Sequence, residues 1–108
     1  HGLILASDLA YSELCYDGFV PPSALEVDGA REVTVEFHTC SKSFNMAGLR
    51  IGFAAGNAGL VDAIAAYRTN IGYGAPSLVQ HAGAFALDHY RTLTVPVVEG
   101  YRARRDAA

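Results

Sequence analysis

Three short apolar runs, followed by a change to helical periodicity, constrain the fold of this chain more than any other feature. The runs are LILASD, REVTVEFH and LRIGFAAG, at residues 3–8, 31–38 and 49–56. The first is apolar almost throughout, which is typical of a strand buried within a parallel sheet. The second alternates, with Val33, Val35 and Phe37 on one side, which predicts a second strand. Strands followed by helices predict an α/β fold.

The residues after Asn57 change to the spacing expected of helices. Asn57 is a suitable N-cap, and apolar side chains recur at helical spacing beyond it. A glycine-rich connection at residues 68–77 follows, and Pro76 suits the first turn of a second helix. A third helix is expected to begin at residues 94–96. The first half of residues 9–30 is compatible with a short helix, before the glycines and prolines of a loop.

Polar residues follow two of the three strand-like runs. Asp8 ends the first, and Thr39, Ser41 and Lys42 come directly after the second. Ligands of open α/β sheets bind at the carboxyl ends of the strands. If the two strands are parallel, these four side chains lie at the same edge of the sheet.

Lys42 is the only lysine in the chain, and the other seven basic residues are arginines. Most lysines are solvated surface residues, and that is the default interpretation. The neighbours of Lys42 are small, apolar or hydroxylic, and no other charged residue stands between it and Arg50. An amine in such surroundings is suited to form a Schiff base or to act as a nucleophile. Arg50 is either a surface residue at a strand start or a bidentate ligand for phosphate.

The remaining polar side chains also have a structural and a functional interpretation. Asp8 either caps the next helix, with Tyr11 in the core, or pairs with a protonated ring nitrogen, with the Tyr11 phenol nearby. Thr39 and Ser41 either cap a loop or donate hydroxyl groups to a phosphate. With the lysine and the arginine, these groups supply what pyridoxal phosphate needs: an amine for its aldehyde, an acid for its ring nitrogen, and cations or hydroxyls for its phosphate.

Two motifs resemble a known family. SKSFNMAGLRIGF, at residues 41–53, resembles the cofactor-attachment segment of class I and II aminotransferases, which are pyridoxal-phosphate enzymes of fold type I. SDLAYSEL, at residues 7–14, resembles the segment that precedes it in that family. Residues 26–57 and 68–80 are similar to the branch that contains LL-diaminopimelate aminotransferases and alanine-type transaminases. The resemblance covers nearly the whole chain. It implies that residues 1–108 are an internal fragment of the large domain, with its mostly parallel, helix-flanked sheet.

The resemblance implies a role for each candidate residue. Lys42 would carry the cofactor as a Schiff base and move the proton during catalysis. Asp8 would hold the ring nitrogen, and Tyr11 would form a hydrogen bond with the ring oxygen. The phosphate would be bound by two hydroxyls and a guanidinium, those of Thr39, Ser41 and Arg50. The implied activity is transfer of an amino group between an amino acid and a 2-oxo acid, with LL-diaminopimelate or alanine and 2-oxoglutarate as candidate substrates.

Two positions depart from the family pattern. Thr39 stands where the family usually has serine, and it keeps the hydroxyl. Tyr73 stands where some diaminopimelate enzymes have asparagine, in a loop that reaches the cofactor of the partner subunit, which leaves the donor amino acid open. The family's arginine for the substrate carboxylate and its ring-stacking aromatic residue have no counterpart among these residues. We therefore expect the isolated fragment to be inactive and the full-length protein to be a homodimer.

Composition and charge argue against several classes of protein. A net charge of −3 gives no reason to expect nucleic acid or an anionic membrane as partner. The histidines show no metal-ligand spacing. Cys15 and Cys40 are too few for a disulfide scaffold, so we expect reduced thiols in a cytoplasmic protein. Two alternatives remain open: a cofactor-sensing, aminotransferase-like domain of a transcription regulator, and an α/β fragment that binds no cofactor.

Overall fold

Within residues 2–108, which a computed structural model describes, the chain forms a three-stranded sheet and four α-helices. The strands are β1 (Leu5–Asp8), β2 (Thr34–Thr39) and β3 (Gly52–Gly56). The helices are α1 (Cys40–Ser43), α2 (Ala58–Ile71), α3 (Ser77–Asp88) and α4 (Tyr90–Ala107). Short 3-10 helices occupy the connections at Ala24–Glu26, Ala30–Glu32 and Ala47–Leu49. The predicted α/β class is confirmed.

The sheet combines a parallel and an antiparallel pair in the order β1-β2-β3. β1 and β2 run parallel, with Asp8 opposite Phe37, as the placement of the candidate site requires. β2 and β3 run antiparallel, with Thr39 opposite Gly52. The connection over residues 40–51 turns back at the same edge of the sheet. A parallel connection would instead have to cross a face of the sheet.

β1 lies at an edge of the sheet and is not the buried strand that its apolar run predicts. Leu3, Ile4 and Leu5 expose 75%, 64% and 47% of their surface. Within the described residues, β1 pairs only with β2. The prediction of burial is therefore wrong for this part of the molecule, because no described element covers the run.

The interior of the fold centres on β2, the strand that the alternating run predicts, which is confirmed at Thr34–Thr39. Val35 is buried, whereas Val33 and Phe37 are 43% and 39% exposed. Thr34 and Glu36 are also buried, at 0% and 2% exposure. Polar side chains of the strand therefore lie inside.

Glu36 is buried because its carboxylate is fully hydrogen-bonded. It accepts hydrogen bonds from the Ser23 hydroxyl at 2.9 Å and from the Ala24 N–H at 2.7 Å. His38 Nε2 lies 3.5 Å from the other carboxylate oxygen. A buried carboxylate is costly unless paired in this way. The contacts fasten the loop between β1 and β2 over the polar face of β2.

α2 begins where the sequence predicts. The Asn57 side chain accepts a hydrogen bond from the Leu60 N–H at 3.0 Å, as an N-cap does. α2 then continues to Ile71, so the glycine-rich connection is shorter than expected. Pro76 is the N-cap of α3 and does not lie in its first turn.

α3 packs closely behind α1 and the start of β3. A β-carbon at Gly83 would lie 3.3 Å from Ile51 and 3.9 Å from the buried Cys40 thiol. The first of these contacts is tighter than most β-carbon contacts, so a larger residue at position 83 would require the Ile51 side chain to shift. The helix therefore supports the segment that carries Lys42 from behind.

Two predictions about the other helices are wrong. α4 begins at Tyr90, before residues 94–96, and Pro96 lies inside it. A proline inside a helix removes one backbone hydrogen bond, which here is the one to the Thr92 carbonyl. Residues 9–14 form hydrogen-bonded turns and no helix. None of the helices in the described residues has the length and apolar character needed to cross a membrane.

Candidate functional site

The candidate residues gather at one edge of the sheet, where β1 and β2 end. Asp8 is the last residue of β1, and Thr39 is the last of β2. α1 begins at the next residue and carries Ser41 and Lys42. Because β3 is antiparallel, its first residues lie at this same edge, and Arg50 comes just before them. Parallel pairing of β1 and β2 predicts that the other groups lie at the ends of these two strands. The antiparallel direction of β3 brings the Arg50 guanidinium to the same place.

The Lys42 amine lies over an aromatic ring. Its Nζ is 5.5 Å from the centroid of the Tyr11 ring, and Lys42 is half-buried. Within the described residues no carboxylate lies within 4.0 Å of this amine. A cation–π contact at a partly exposed site stabilises by about 0.5–1 kcal/mol. The contact orients the amine and places no negative charge beside it. Tyr11 is 61% exposed, so the alternative interpretation of Tyr11 as a core residue is wrong.

Asp8 has one carboxylate oxygen in use. Its Oδ1 accepts a hydrogen bond from the Ala10 N–H at 3.1 Å. No hydrogen bond within the described residues involves Oδ2. The carboxylate is exposed at the strand end. It therefore fixes the turn after β1 while keeping one oxygen available for a ligand.

The two candidate hydroxyls differ in availability. The Thr39 hydroxyl accepts a hydrogen bond from the Ser41 N–H at 3.1 Å and donates one to the Ile51 carbonyl at 3.3 Å. The proton of the Thr39 hydroxyl is therefore engaged in a hydrogen bond to the backbone, and Thr39 is the N-cap of α1. The Ser41 side chain makes no hydrogen bond within the described residues. Ser41 is therefore the hydroxyl free to donate to an anion.

Arg50 has a constrained backbone and a free guanidinium edge. Its φ and ψ are 54° and 50°, in the left-handed region that residues other than glycine rarely adopt. Such a conformation costs roughly 1–3 kcal/mol and is typical of functional sites. Its Nη1 donates to the Ala47 carbonyl at 3.0 Å, which turns the exposed side chain along the connection.

A cavity beside this edge contains residues that the sequence does not single out. It has a volume of about 200 Å³, and Glu13, His38, Ser43 and Tyr90 are among its lining residues. The Tyr90 hydroxyl donates a hydrogen bond to the Glu13 carboxylate. This bond, and then burial, raise the pKa of Tyr90 above its ordinary value. No local pattern could have revealed this pair, because its members are 77 positions apart.

The chain matches the family model described as aminotransferase class I and II over residues 1–104. It is 47% identical over 106 residues to LL-diaminopimelate aminotransferase of Desulforudis audaxviator, which covers 98% of this chain and 27% of that protein. It is 43% identical over 106 residues to glutamate-pyruvate aminotransferase AlaC of Escherichia coli, covering 98% of this chain and 26% of that one.

A solved structure has the same fold. N-succinyldiaminopimelate aminotransferase from Mycobacterium tuberculosis superimposes with a TM-score of 0.90 at 30% identity, over 97% of this chain and 27% of that one. The chain thus spans about a quarter of the length of the relatives that it matches. The family match, the sequence identity and the common fold cover the same residues. The chain therefore belongs to the class I and II aminotransferase family.

Proposed function

We propose that the full-length protein is a pyridoxal-phosphate-dependent aminotransferase, which moves an amino group between an amino acid and a 2-oxo acid. The observation that carries this proposal is the single sheet edge that holds an unpaired amine, a carboxylate and a guanidinium, those of Lys42, Asp8 and Arg50. We further propose that residues 1–108 are part of the large, cofactor-binding domain. The relatives named above are all aminotransferases, so no observation favours a regulator domain.

The side chains at this edge fit pyridoxal 5′-phosphate in kind and number. Lys42 would attach the cofactor, and the free oxygen of Asp8 would accept a hydrogen bond from its ring nitrogen. When bound, the cofactor supplies an aldehyde carbon for covalent chemistry and a protonated ring that withdraws electrons. Asp8 would keep that ring nitrogen protonated, because a nearby carboxylate favours the charged form.

Lys42 would have a second role when its amine is free. Its Nζ would act as the general base and acid that moves a proton from the substrate α-carbon. Lys42 Nζ lies 5.5 Å from the centroid of the Tyr11 ring, which places the amine beside the turn that follows Asp8. A general base placed in this way contributes about 10²–10⁴-fold to a rate.

The phosphate would be held chiefly by Ser41 and Arg50. The Ser41 hydroxyl is free to donate, and a guanidinium can bind two phosphate oxygens at once. Thr39 would contribute less through its own proton, because that proton is donated to the Ile51 carbonyl. Its hydroxyl instead holds the Ser41 N–H and so fixes the start of α1.

For the donor, we propose LL-diaminopimelate or alanine, with 2-oxoglutarate as acceptor. The support is that relatives with these two kinds of name are 47% and 43% identical to the chain. We also propose a cytoplasmic homodimer without nucleic-acid or membrane partners. Tyr73, fully exposed between α2 and α3, is then available to contact the partner subunit.

Purified full-length protein, loaded with pyridoxal 5′-phosphate, tests the activity. Each donor is incubated with 2-oxoglutarate, and glutamate formation is measured. We expect turnover with at least one donor, and a loss of about 10²–10⁴-fold in Lys42→Ala. Arg102→Ala, a change of an exposed charged residue on α4, is the matched control and should retain activity. Equal activity in Lys42→Ala and the control would refute the role of the lysine, and no turnover with any amino acid would refute the function.

A further inference from the structure

The turn at residues 9–14 determines where Tyr11 stands relative to Lys42. It begins directly after Asp8 and is held by backbone hydrogen bonds. The Leu9 N–H donates to the Phe37 carbonyl at 3.0 Å, and the Leu14 N–H donates to the Tyr11 carbonyl at 3.0 Å. The turn therefore behaves as one unit, and its outer end is fixed only by the contacts of its side chains.

One of those contacts joins the turn to a distant helix. The Tyr90 hydroxyl, on the first residue of α4, donates to Oε2 of Glu13, two positions beyond Tyr11. The Ser12 hydroxyl donates to the other oxygen at 3.3 Å. Within the described residues, the turn is also bonded to β1 through the Asp8 side chain and the Ala10 N–H, and Glu13–Tyr90 is its only side-chain hydrogen bond to a helix. The bond to Tyr90 thus joins the turn to α4.

Tyr90 stands on a rigid support. The Thr94 side chain is buried, and its hydroxyl donates to the Tyr90 carbonyl at 2.8 Å, within the first turn of α4. At the far end of the helix, Arg105 pairs with Asp17 at 2.9 Å, but that pair is largely exposed. Exposed ion pairs contribute little, and Asp17 lies outside the turn at residues 9–14. The Glu13–Tyr90 bond is also exposed, but within the described residues it is the side-chain hydrogen bond that joins α4 to the turn itself.

We propose that Glu13 and Tyr90 are positioning residues, which set the Tyr11 phenol and the adjoining Asp8 carboxylate relative to the Lys42 amine. This inference rests on the proposed function, since it assigns the pair a role at that site. Neither residue touches the amine; both act through the turn. A phenol of ordinary pKa, about 10, is already protonated at neutral pH, and the hydrogen bond to the Glu13 carboxylate raises the pKa of Tyr90 further. The Tyr90 hydroxyl can therefore donate to Glu13 at neutral pH.

Three variants of the full-length enzyme, loaded with cofactor, test the proposal. Tyr90→Phe removes the hydroxyl, Glu13→Gln keeps an acceptor for it, and Tyr101→Phe on the same helix is the control. Tyr101 makes no hydrogen bond through its hydroxyl within the described residues. We measure kcat, KM and the pH titration of the absorbance of the Lys42-bound cofactor. Tyr90→Phe should lower kcat about tenfold with little change in KM, since small displacements of reacting groups are costly.

The pH titration of the cofactor absorbance distinguishes a positioning role of Glu13 and Tyr90 from a role in stability alone. Tyr11→Phe serves as the reference, because it removes the phenol itself and should move the midpoint of the titration. Tyr90→Phe should move the midpoint in the same direction, Glu13→Gln should largely retain the original value, and Tyr101→Phe should not differ from wild type. If Tyr90→Phe fails to fold, Glu13→Ala provides the same comparison, with Glu13→Gln as its rescue.

Two results would overturn the proposal in distinguishable ways. If Tyr90→Phe lowers the melting temperature but leaves kcat and the titration at the values of Tyr101→Phe, the pair is only structural and the proposed function stands. If no cofactor absorbance depends on Lys42, the proposed function fails and the positioning role fails with it.

Discussion

Lys42 is the residue whose chemistry can be tested most directly. A covalent link between the cofactor and its amine is fixed by borohydride reduction of the full-length holoprotein. We expect the added mass on the peptide that contains Lys42, because this is the only lysine in residues 1–108 and its amine has no carboxylate partner within the described residues. Peptide mapping by mass spectrometry measures it. Label on a different residue, or none at all, would contradict the assignment.

Asp8 should matter more for turnover than for binding the cofactor. An amide cannot supply the negative charge that keeps a ring nitrogen protonated, whereas the change leaves Arg50, the proposed phosphate ligand, in place. We expect Asp8→Asn to lower kcat by about 10²–10³-fold, as for other lost electrostatic partners in active sites. Bound cofactor, measured by absorbance after gel filtration, should remain near the wild-type amount. Asp62→Asn on α2 is the control, and near-normal turnover in Asp8→Asn would show that the carboxylate has another role.

Arg50 should be irreplaceable by lysine. Lysine keeps the charge, but it cannot bind two phosphate oxygens with a planar fork. We expect Arg50→Lys to weaken the affinity for pyridoxal phosphate by about tenfold, which corresponds to one lost charge-assisted hydrogen bond of ~1.4 kcal/mol. Titration of the apoprotein with cofactor measures this. An unchanged dissociation constant would mean that the phosphate is held elsewhere.

Among the elements, β2 contains a buried polar atom without a partner. The Thr34 side chain is fully buried, and no hydrogen-bond partner for its hydroxyl exists within the described residues. An unsatisfied buried hydroxyl destabilises, so Thr34→Val should raise the free energy of unfolding, by up to ~1 kcal/mol. Thr94→Val is the matched control, because that buried hydroxyl donates to Tyr90, and it should lower the free energy of unfolding by ~1 kcal/mol.

Chemical denaturation of the full-length protein measures both threonine variants. If the two changes shift the unfolding midpoint equally and in the same direction, hydrogen bonding does not explain the difference between the two positions. An increase in the free energy of unfolding for Thr34→Val alone would show that the unsatisfied Thr34 hydroxyl destabilises β2.

Elements specified by neighbouring residues could be predicted from the sequence. The N-cap at Asn57 depends on its own side chain and the next turn, and it is confirmed. The burial of Glu36 does not follow from the alternating pattern, because its donors at Ser23 and Ala24 lie 13 and 12 positions away. The first residue of α4 was missed because Pro96 resembled a helix start, whereas the helix forms around it. Neither the burial of Glu36 nor the start of α4 can be seen in the spacing of apolar residues along the sequence.

The candidate site likewise has one part that the sequence predicts and one part that it does not. Lys42, Ser41 and Arg50 lie in one continuous motif, and their common edge follows from short-range connections. The direction of β3 was not predicted, since the same apolar run fits a parallel or an antiparallel strand. Its antiparallel course brings Arg50 to the edge. The roles of these residues stay predictions until the variants above are measured.

At the scale of the whole molecule, the described chain exposes more surface than a self-contained domain. Its accessible surface is 7775 Å², whereas a globular chain of this mass exposes about 5,800 Å². Its radius of gyration is 15.6 Å, against about 13 Å for a compact chain of this length. Apolar residues contribute to the excess, including Leu3 and Ile4 beside the free edge of β1. This part of the fold is suited to packing against further structure.

The isolated 108-residue chain should therefore be inactive and prone to association. An apolar edge strand without a partner favours intermolecular pairing, and a site that lacks part of its positioning groups forfeits much of the ~7–11 kcal/mol that placement can supply. Light scattering and a transamination assay measure these two outcomes, with free pyridoxal phosphate as the control for uncatalysed reaction. Lys42-dependent turnover by a soluble, monomeric 108-residue chain, well above that control, would disprove this expectation.

The antiparallel connection between β2 and β3 determines where this sequence can tolerate insertions and deletions. The amine and the guanidinium are both carried by the one connection at residues 40–51, so their spacing does not depend on how the rest of the sheet is assembled. Insertions at the exposed residues 18–20, between the turn at residues 9–14 and the Ser23–Glu36 contact, would leave that spacing intact, whereas adding or removing a single residue within the connection would alter it. A scan of insertions and deletions along the gene should accordingly find a short intolerant window over this connection, with more permissive sequence at residues 18–20.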